Sequence, residues 1–184
     1  MSTKYRIKIY NVLTYPRPGY TGCFIGIDDI FMRTTPGGAT VNLTSSGTAT
    51  AHSVYSSYVA SYALSGQPNF WHSNETLQTT MDAGNAWWQY EFTANDVFIR
   101  EYTMRSRTDA PYWSYDTPKT WKLEWYNPLL SSWFVIDERT NVSWTSGGEL
   151  KTFSIVFGSG GGAYYGRGSL AVTNNYIFRP TISG

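Results

Sequence analysis

The sequence predicts an all-β fold, an antiparallel β-sandwich, and three observations carry that expectation. Phe, Trp and Tyr make up 17% of the chain against 15% for charged residues, with 15 Tyr and 8 Trp; such rings pack well on a pleated surface. Runs that alternate apolar and polar residues recur between clusters of Gly, Pro, Asn and Ser, while the helical period is weak throughout. The 184 residues suit one domain with a substantial core rather than two.

Strands are expected over Tyr5 to Val12, Cys23 to Arg33, Trp87 to Phe92, Ile99 to Arg105, Trp121 to Trp125, Trp133 to Asp137 and Leu150 to Phe157. In the first, Tyr5, Ile7, Ile9 and Asn11 alternate with Arg6, Lys8 and Tyr10, the pattern of a half-buried antiparallel strand. Trp88, Tyr90 and Phe92 make one apolar face of the Trp87 run, and Trp121, Leu123 and Trp125 share another. Trp71, Trp88, Trp121 and Trp133 are therefore read as core rather than as ligand platforms. Several strands at this spacing, joined by turn-rich connections, indicate a sandwich or jelly roll.

Ser53 to Ala63 lacks strict alternation and is the one segment expected as a short helix or turn. Gly158 to Gly162 reads as a flexible tether. It divides a sandwich over residues 1–157 from a C-terminal piece over 158–184, in which Leu170 to Arg179 looks ordered. Two readings of that piece stand side by side: an extra strand of the same sandwich, or an arm that docks on a neighbouring subunit.

The opening MSTKYRIKIY has no apolar stretch long enough for a signal peptide, and no run of about 18 apolar residues occurs. Neither secretion by that route nor membrane insertion is expected, and the sequons at Asn42, Asn74 and Asn141 are read as coincidental. The single cysteine, Cys23, excludes an intrachain disulfide, and its alternating flank points to a buried, inert thiol. A net charge of +1 without any basic block argues against a nucleic-acid partner.

Several segments, in order, resemble one family: Phe70-Trp71-His72-Ser73, Trp87-Trp88-Gln89-Tyr90-Glu91-Phe92, Pro118-Lys119-Thr120-Trp121-Lys122-Leu123-Glu124, Trp133-Phe134-Val135-Ile136-Asp137 and Gly148-Glu149-Leu150-Lys151-Thr152-Phe153. Over roughly Ala49 to Ile155 the chain is similar to the discoidin-like domains (coagulation factor type C domains) of the galactose-binding-like sandwiches. Tyr5-Arg6-Ile7-Lys8-Ile9 and Ile27-Asp28-Asp29-Ile30-Phe31 are similar to the segment that closes such domains, but here they come first. The resemblance thus implies a discoidin-like jelly roll in circularly permuted order, an arrangement found among bacteriophage virion proteins. Permutation costs little where the old termini adjoin at the surface.

The same resemblance raises the question of calcium, which many galactose-binding-like domains hold near an Asp-Gly-Asn turn and a late Glu. Here the turn reads Ser65-Gly66-Gln67 and Asp29 stands at the Glu position, so a hard anionic ligand is missing. Asp29 remains a weak metal candidate, and no cofactor is expected.

Catalytic chemistry leaves no pattern in the chain. His52 and His72 are the two histidines, and neither has a metal-ligand spacing. Gly158 to Gly162 lacks the Lys-Ser/Thr of a phosphate loop, and no nucleophile elbow occurs. Asp109, Asp116, Glu91 and Glu75 offer carboxylate pairs for glycoside cleavage, but any chain with 13 acidic residues does so. A non-enzymatic protein is expected.

Binding is better supported. Arg107, Asp109, Tyr112, Trp113, Tyr115 and Asp116 lie between two expected strands and combine aromatic plates with charged hydrogen-bonding groups. That mixture suits the C–H faces and hydroxyl rim of a sugar, and equally a protein interface; simple capping of the sandwich end is the third reading. Tyr15, Arg17 and Tyr20 on one loop, and His72 with Asn74, Glu75, Gln78 and Asp82 on another, are candidates to share that rim. The leading expectation is a bacteriophage virion component, in the tail or decorating the capsid, made in the host cytoplasm. Its partners would be host glycan or other virion proteins, as a homo-oligomer or part of a larger assembly. A free-standing bacterial lectin and a carbohydrate-binding module attached to a glycosidase are the alternatives.

Overall fold

A computed structural model describes residues 2–44, 46–64 and 69–156, which form two antiparallel sheets packed face to face as an all-β sandwich. The strands are β1 (Lys4–Val12), β2 (Gly26–Arg33), β3 (Gly47–Ala51), β4 (Trp71–His72), β5 (Trp87–Phe92), β6 (Glu101–Ser106), β7 (Pro118–Asn127), β8 (Ser132–Arg139) and β9 (Leu150–Ser154). One sheet runs β3-β5-β1-β7-β8 and the other β4-β2-β6-β9. Three short helices, α1 (Val41–Thr44), α2 (Gln78–Asp82) and α3 (Trp113–Asp116), and a 3₁₀ turn at Ala60–Leu64 lie in the connections.

The alternation read from the sequence becomes the two faces of the larger sheet. Tyr5, Ile7 and Ile9 of β1, Trp88, Tyr90 and Phe92 of β5, and Trp121, Leu123 and Trp125 of β7 are buried between the layers. They meet Ile27, Ile30 and Met32 of β2, Tyr102 and Met104 of β6, and Phe153 of β9 in one core. Each large apolar side chain buried there contributes about 2–3 kcal/mol. On the opposite face of the same sheet Lys4 pairs with Glu91, and Arg6 and Lys8 pair with Glu124.

The indole N–H groups in the core have acceptors, as burial demands. Trp71 donates to Ser53 O at 3.1 Å, Trp88 to Ala60 O at 2.9 Å and Trp144 to Pro118 O at 2.7 Å. Trp121 reaches across the layers to the hydroxyl of Tyr102 at 2.8 Å, which in turn donates to Asp137 Oδ2 at 2.7 Å. This chain ties β7, β6 and β8 together through polar groups inside the sandwich.

Three expectations need correcting. Asn11 does not continue the inward face of β1: a bulge between Ile9 and Val12 shifts the parity, and Val12 turns inward instead. Trp133 is not core; it lies half-buried on the outer face of β8, with the Arg6 guanidinium 4.1 Å over its ring, while Trp144 takes a place inside. Ser53 to Ala63 takes the turn alternative, irregular backbone with a turn followed by the 3₁₀ element. β2 starts at Gly26 rather than Cys23, because Cys23 and Thr76 form an isolated bridge instead.

Cys23 is buried, and burial pushes its thiol up to about 12. Asn42 is also buried, its amide bonded to the backbone of Met32 and Ile30, which leaves that sequon closed in the folded chain. The readings of Ser65-Gly66-Gln67, of Phe157, of the tether Gly158 to Gly162 and of Leu170 to Arg179 lie outside the described residues. Among the described residues no helix is long and apolar enough to cross a membrane.

Candidate functional site

Strand pairing brings the three predicted loops to one end of the sandwich. Val12 at the end of β1 is opposite Pro118 at the start of β7, so the chain leaving β1 runs beside the chain entering β7. Leu13 N donates to Thr117 O at 2.9 Å and Thr14 N to Tyr115 O at 3.2 Å, extending that contact into the loops. In the other sheet, Gly26 pairs with His72 and Ile27 with Ser106, which places the start of β2, all of β4 and the end of β6 at the same rim.

Asp116, at the end of α3, is fully buried there and is the hub of an ion network. Its Oδ2 accepts from Arg107 Nη1 at 2.5 Å and from Arg17 Nη1 at 3.2 Å. Arg107, itself buried, turns its remaining edge to Asp109: Nε pairs with Oδ1 and Nη2 with Oδ2 at 2.8 Å. Bidentate geometry of this kind holds a guanidinium in one orientation.

His72 lies within the same network. Arg107 Nη1 sits 2.7 Å from His72 Nε2, and an arginine can only donate, so Nε2 accepts and the ring proton is placed on Nδ1. The neutral ring agrees with a pKa held below the ordinary histidine value, first by burial and further by Arg107 and Arg17, against the opposing pull of the Asp116 carboxylate, whose Oδ2 lies 3.3 Å from Nε2. His72 was expected on a loop; it is instead a buried member of β4.

Around this polar core stands a shell of aromatic rings. Phe24 stacks on His72 with centroids 5.0 Å apart and planes at 5°. Tyr55 meets both rings edge-on, at 5.7 and 5.4 Å, and Tyr58 stacks on Phe70 at 4.7 Å. The Arg107 guanidinium lies over Phe70 at 4.6 Å and Tyr112 at 4.8 Å. That of Arg17 lies over Tyr112 at 4.5 Å, Phe24 at 4.9 Å and Tyr20 at 5.1 Å. Tyr20, Tyr55, Tyr58 and Tyr112 keep 46%, 47%, 36% and 37% of their surface exposed, so the shell is open to solvent along tyrosine rings.

Of the residues singled out from sequence, Arg17, Tyr20, His72, Arg107, Asp109, Tyr112 and Asp116 come together. Trp113 is half-buried and packs against the core, and a methyl group at Gly147 would meet its Cδ1 at 2.9 Å. Tyr15 holds the loop to α2 by accepting from Gln78 N at 2.9 Å, and Tyr115 is half-buried with its carbonyl bonded to Thr14. Glu75 accepts from the amides of Gly22 at 2.7 Å and Thr21 at 2.9 Å, contacts that draw its carboxyl below the usual range. Gln78 and Asp82 bond to each other within α2. Glu91 belongs to the outer sheet face with Lys4, away from this end.

Sequence reasoning missed Phe24, Tyr55, Tyr58 and Phe70 as site residues. Phe24 was hidden in an expected strand, and the two tyrosines in the segment read as a short helix or turn. Their signal was available: Tyr55-Ser56-Ser57-Tyr58 sets rings among small polar residues without an apolar stripe. Asp29, the weak metal candidate, is buried and ion-paired with Arg105 Nε at 2.6 Å. Among the described residues no group of three or more His, Cys, Asp or Glu side chains is placed to hold a metal ion.

Comparison with protein-family models, with curated proteins and with solved structures found no match for the chain.

Proposed function

We propose that this chain is a non-catalytic binding module that takes glycan at the tyrosine-lined rim. One observation carries the reading: four exposed tyrosines surround arginine and aspartate side chains already locked in place by mutual ion pairs. Ring faces suit the C–H surface of a sugar, and fixed charged groups orient its hydroxyls without a large ordering cost on binding. The two carboxylates at the rim are engaged by arginine, and the neutral His72 nitrogen is occupied by Arg107, which favours recognition over proton transfer.

The setting we propose is a bacteriophage virion, in the tail or on the capsid, supported by the permuted order of the segments that resemble discoidin-like domains. Immunogold labelling of purified particles tests that setting. A glycan array with the wild-type chain, followed by titration calorimetry on Y55A and Y112A, tests the site. Each substitution is expected to weaken binding by about 1–3 kcal/mol while the melting temperature stays within a few degrees. Wild-type affinity in both variants would remove the rim from the reading.

A further inference from the structure

The two rim arginines are not equivalent, and their difference points to a ligand class. In Arg107 every guanidinium nitrogen is engaged: Nε and Nη2 by Asp109, Nη1 by Asp116 and His72. Arg17 makes one such bond, from Nη1 to Asp116 at 3.2 Å. Among the described residues its Nε and Nη2 have no hydrogen-bond partner. These two nitrogens form the side-on fork that matches a carboxylate bidentately.

The surroundings of Arg17 restrict how that fork is reached. Tyr112, Phe24 and Tyr20 each turn a ring face to the guanidinium, at 4.5 to 5.1 Å from its carbon. Ring faces are poor hydrogen-bond acceptors, so they leave the Nε and Nη2 donors of the fork for a partner that brings oxygen. The side chain keeps 12% of its surface exposed.

The ion pairs at the rim are shared unevenly. Asp109 is committed to Arg107, and Asp116 is shared between both arginines at Oδ2. The nearby Glu75 carboxylate is turned to the amides of Thr21 and Gly22. Arg17 thus shares a single carboxylate oxygen with Arg107, and what it offers a ligand is its open fork rather than an excess of positive charge.

We infer that the rim takes an acidic saccharide, a uronic or nonulosonic acid, with its carboxylate on the Nε/Nη2 fork of Arg17 and its ring against the tyrosines. This rests on the glycan reading of the rim. Calorimetry with matched pairs isolates the carboxylate: 3′-sialyllactose against lactose, and trigalacturonate against its methyl ester. The acidic member of at least one pair is expected to bind about tenfold or more tightly, and the preference should shrink as salt rises. R17Q should bring the ratio of acidic to neutral affinity close to one, and R17K, a point charge without a fork, should restore only part of it.

Equal affinity for both members of each pair in the wild type overturns the inference and leaves the glycan reading standing. A preference that survives in folded R17Q, checked by its melting curve, also overturns it. If the folded wild type binds none of the four, the glycan reading fails and this inference fails with it.

Discussion

Replacing Asp116 by Asn tests the central physical claim, that one buried carboxylate holds the rim together. Asp116 is fully buried, and its Oδ2 receives Arg107 at 2.5 Å and Arg17 at 3.2 Å. In D116N the amide oxygen can take over one of these bonds, but the charge that two guanidinium groups share is gone. The new NH2 would occupy the place of Oδ1, which has no hydrogen-bond partner among the described residues. Removing one member of a buried ion pair costs about 3–5 kcal/mol. Arg107 keeps Asp109, so the expected loss is about 2–4 kcal/mol, or about 5–15 °C in melting temperature for a chain of this size.

Asp109 is the control. It contacts the same arginine, but its side chain is 43% exposed, and solvent screening reduces D109N to about 0–1 kcal/mol. Urea denaturation at pH 7.5, at low salt and at about 0.5 M salt, separates the two: the D116N loss should persist in salt and the small D109N loss should fade. A cycle of R107Q, D116N and the double variant should show coupling of about 1–3 kcal/mol. If D116N is no more harmful than D109N, the network does not organise this end of the sandwich.

Three further outcomes follow from the same structure. Burial holds His72 and His52 below the ordinary histidine pKa, and His52 Nδ1 accepts the Trp87 amide at 3.1 Å; the unfolded chain therefore takes up protons first. Stability should fall as pH drops from about 6.5 toward the folded pKa values, by at most about 1.4 kcal/mol per pH unit per histidine, and H72Q should flatten the urea-derived profile; a flat wild-type profile from pH 7 to 5.5 would contradict this. Y102F should cost about 1–3 kcal/mol in urea, because the buried Trp121 N–H loses its acceptor, and a loss below about 0.5 kcal/mol would show that the group finds another partner. In G26A the new methyl would meet Arg107 Cδ at 2.7 Å and displace the guanidinium, so glycan affinity should drop although no polar group is removed; unchanged affinity in calorimetry would place Arg107 outside the site.

How much of this was legible in the sequence depends on how each residue is held. β1, β5 and β7 could be read because apolar residues alternate strictly and only one parity fits a core. The bulge after Ile9 could not, since nothing in Tyr10-Asn11-Val12 marks where the pairing slips. In Trp133-Phe134-Val135-Ile136 both parities are apolar, so the pattern does not say which side faces inward; Phe134 and Ile136 pack against the core and Trp133 does not. β3, Gly-Thr-Ala-Thr-Ala, carries almost no hydrophobic signal because it is an edge strand that places only Ala49 and Ala51 against the core. The charged and aromatic members of the rim were visible as types of residue. Their convergence was not, because it depends on pairings such as Val12 with Pro118 and Gly26 with His72, which no local pattern encodes.

Those long-range pairings also explain why core and rim answer to different constraints. The core is fixed by the parity of strands whose interior is mainly apolar, with its few polar groups bonded, as in the Trp121–Tyr102–Asp137 chain and the Tyr5 hydroxyl on Val97 O, so changes there act through packing or one lost bond. At the rim, Arg107 immediately follows β6, His72 ends β4 and Asp116 lies two residues before β7, so each is anchored by a strand end rather than by loop conformation. Asp109 also lies in a connection but commits both oxygens to Arg107, whereas Arg17 stands deep in one, four residues beyond the Leu13 bond to Thr117. It is the residue whose position the sheets determine least and whose donors are least used. A site in which three polar groups are rigid and one retains open valence has its orientation set by the first three and its choice of ligand set by the fourth. Substitutions at Asp116 or Arg107 should therefore lower stability together with all binding, whereas substitutions at Arg17 should change which saccharide is preferred.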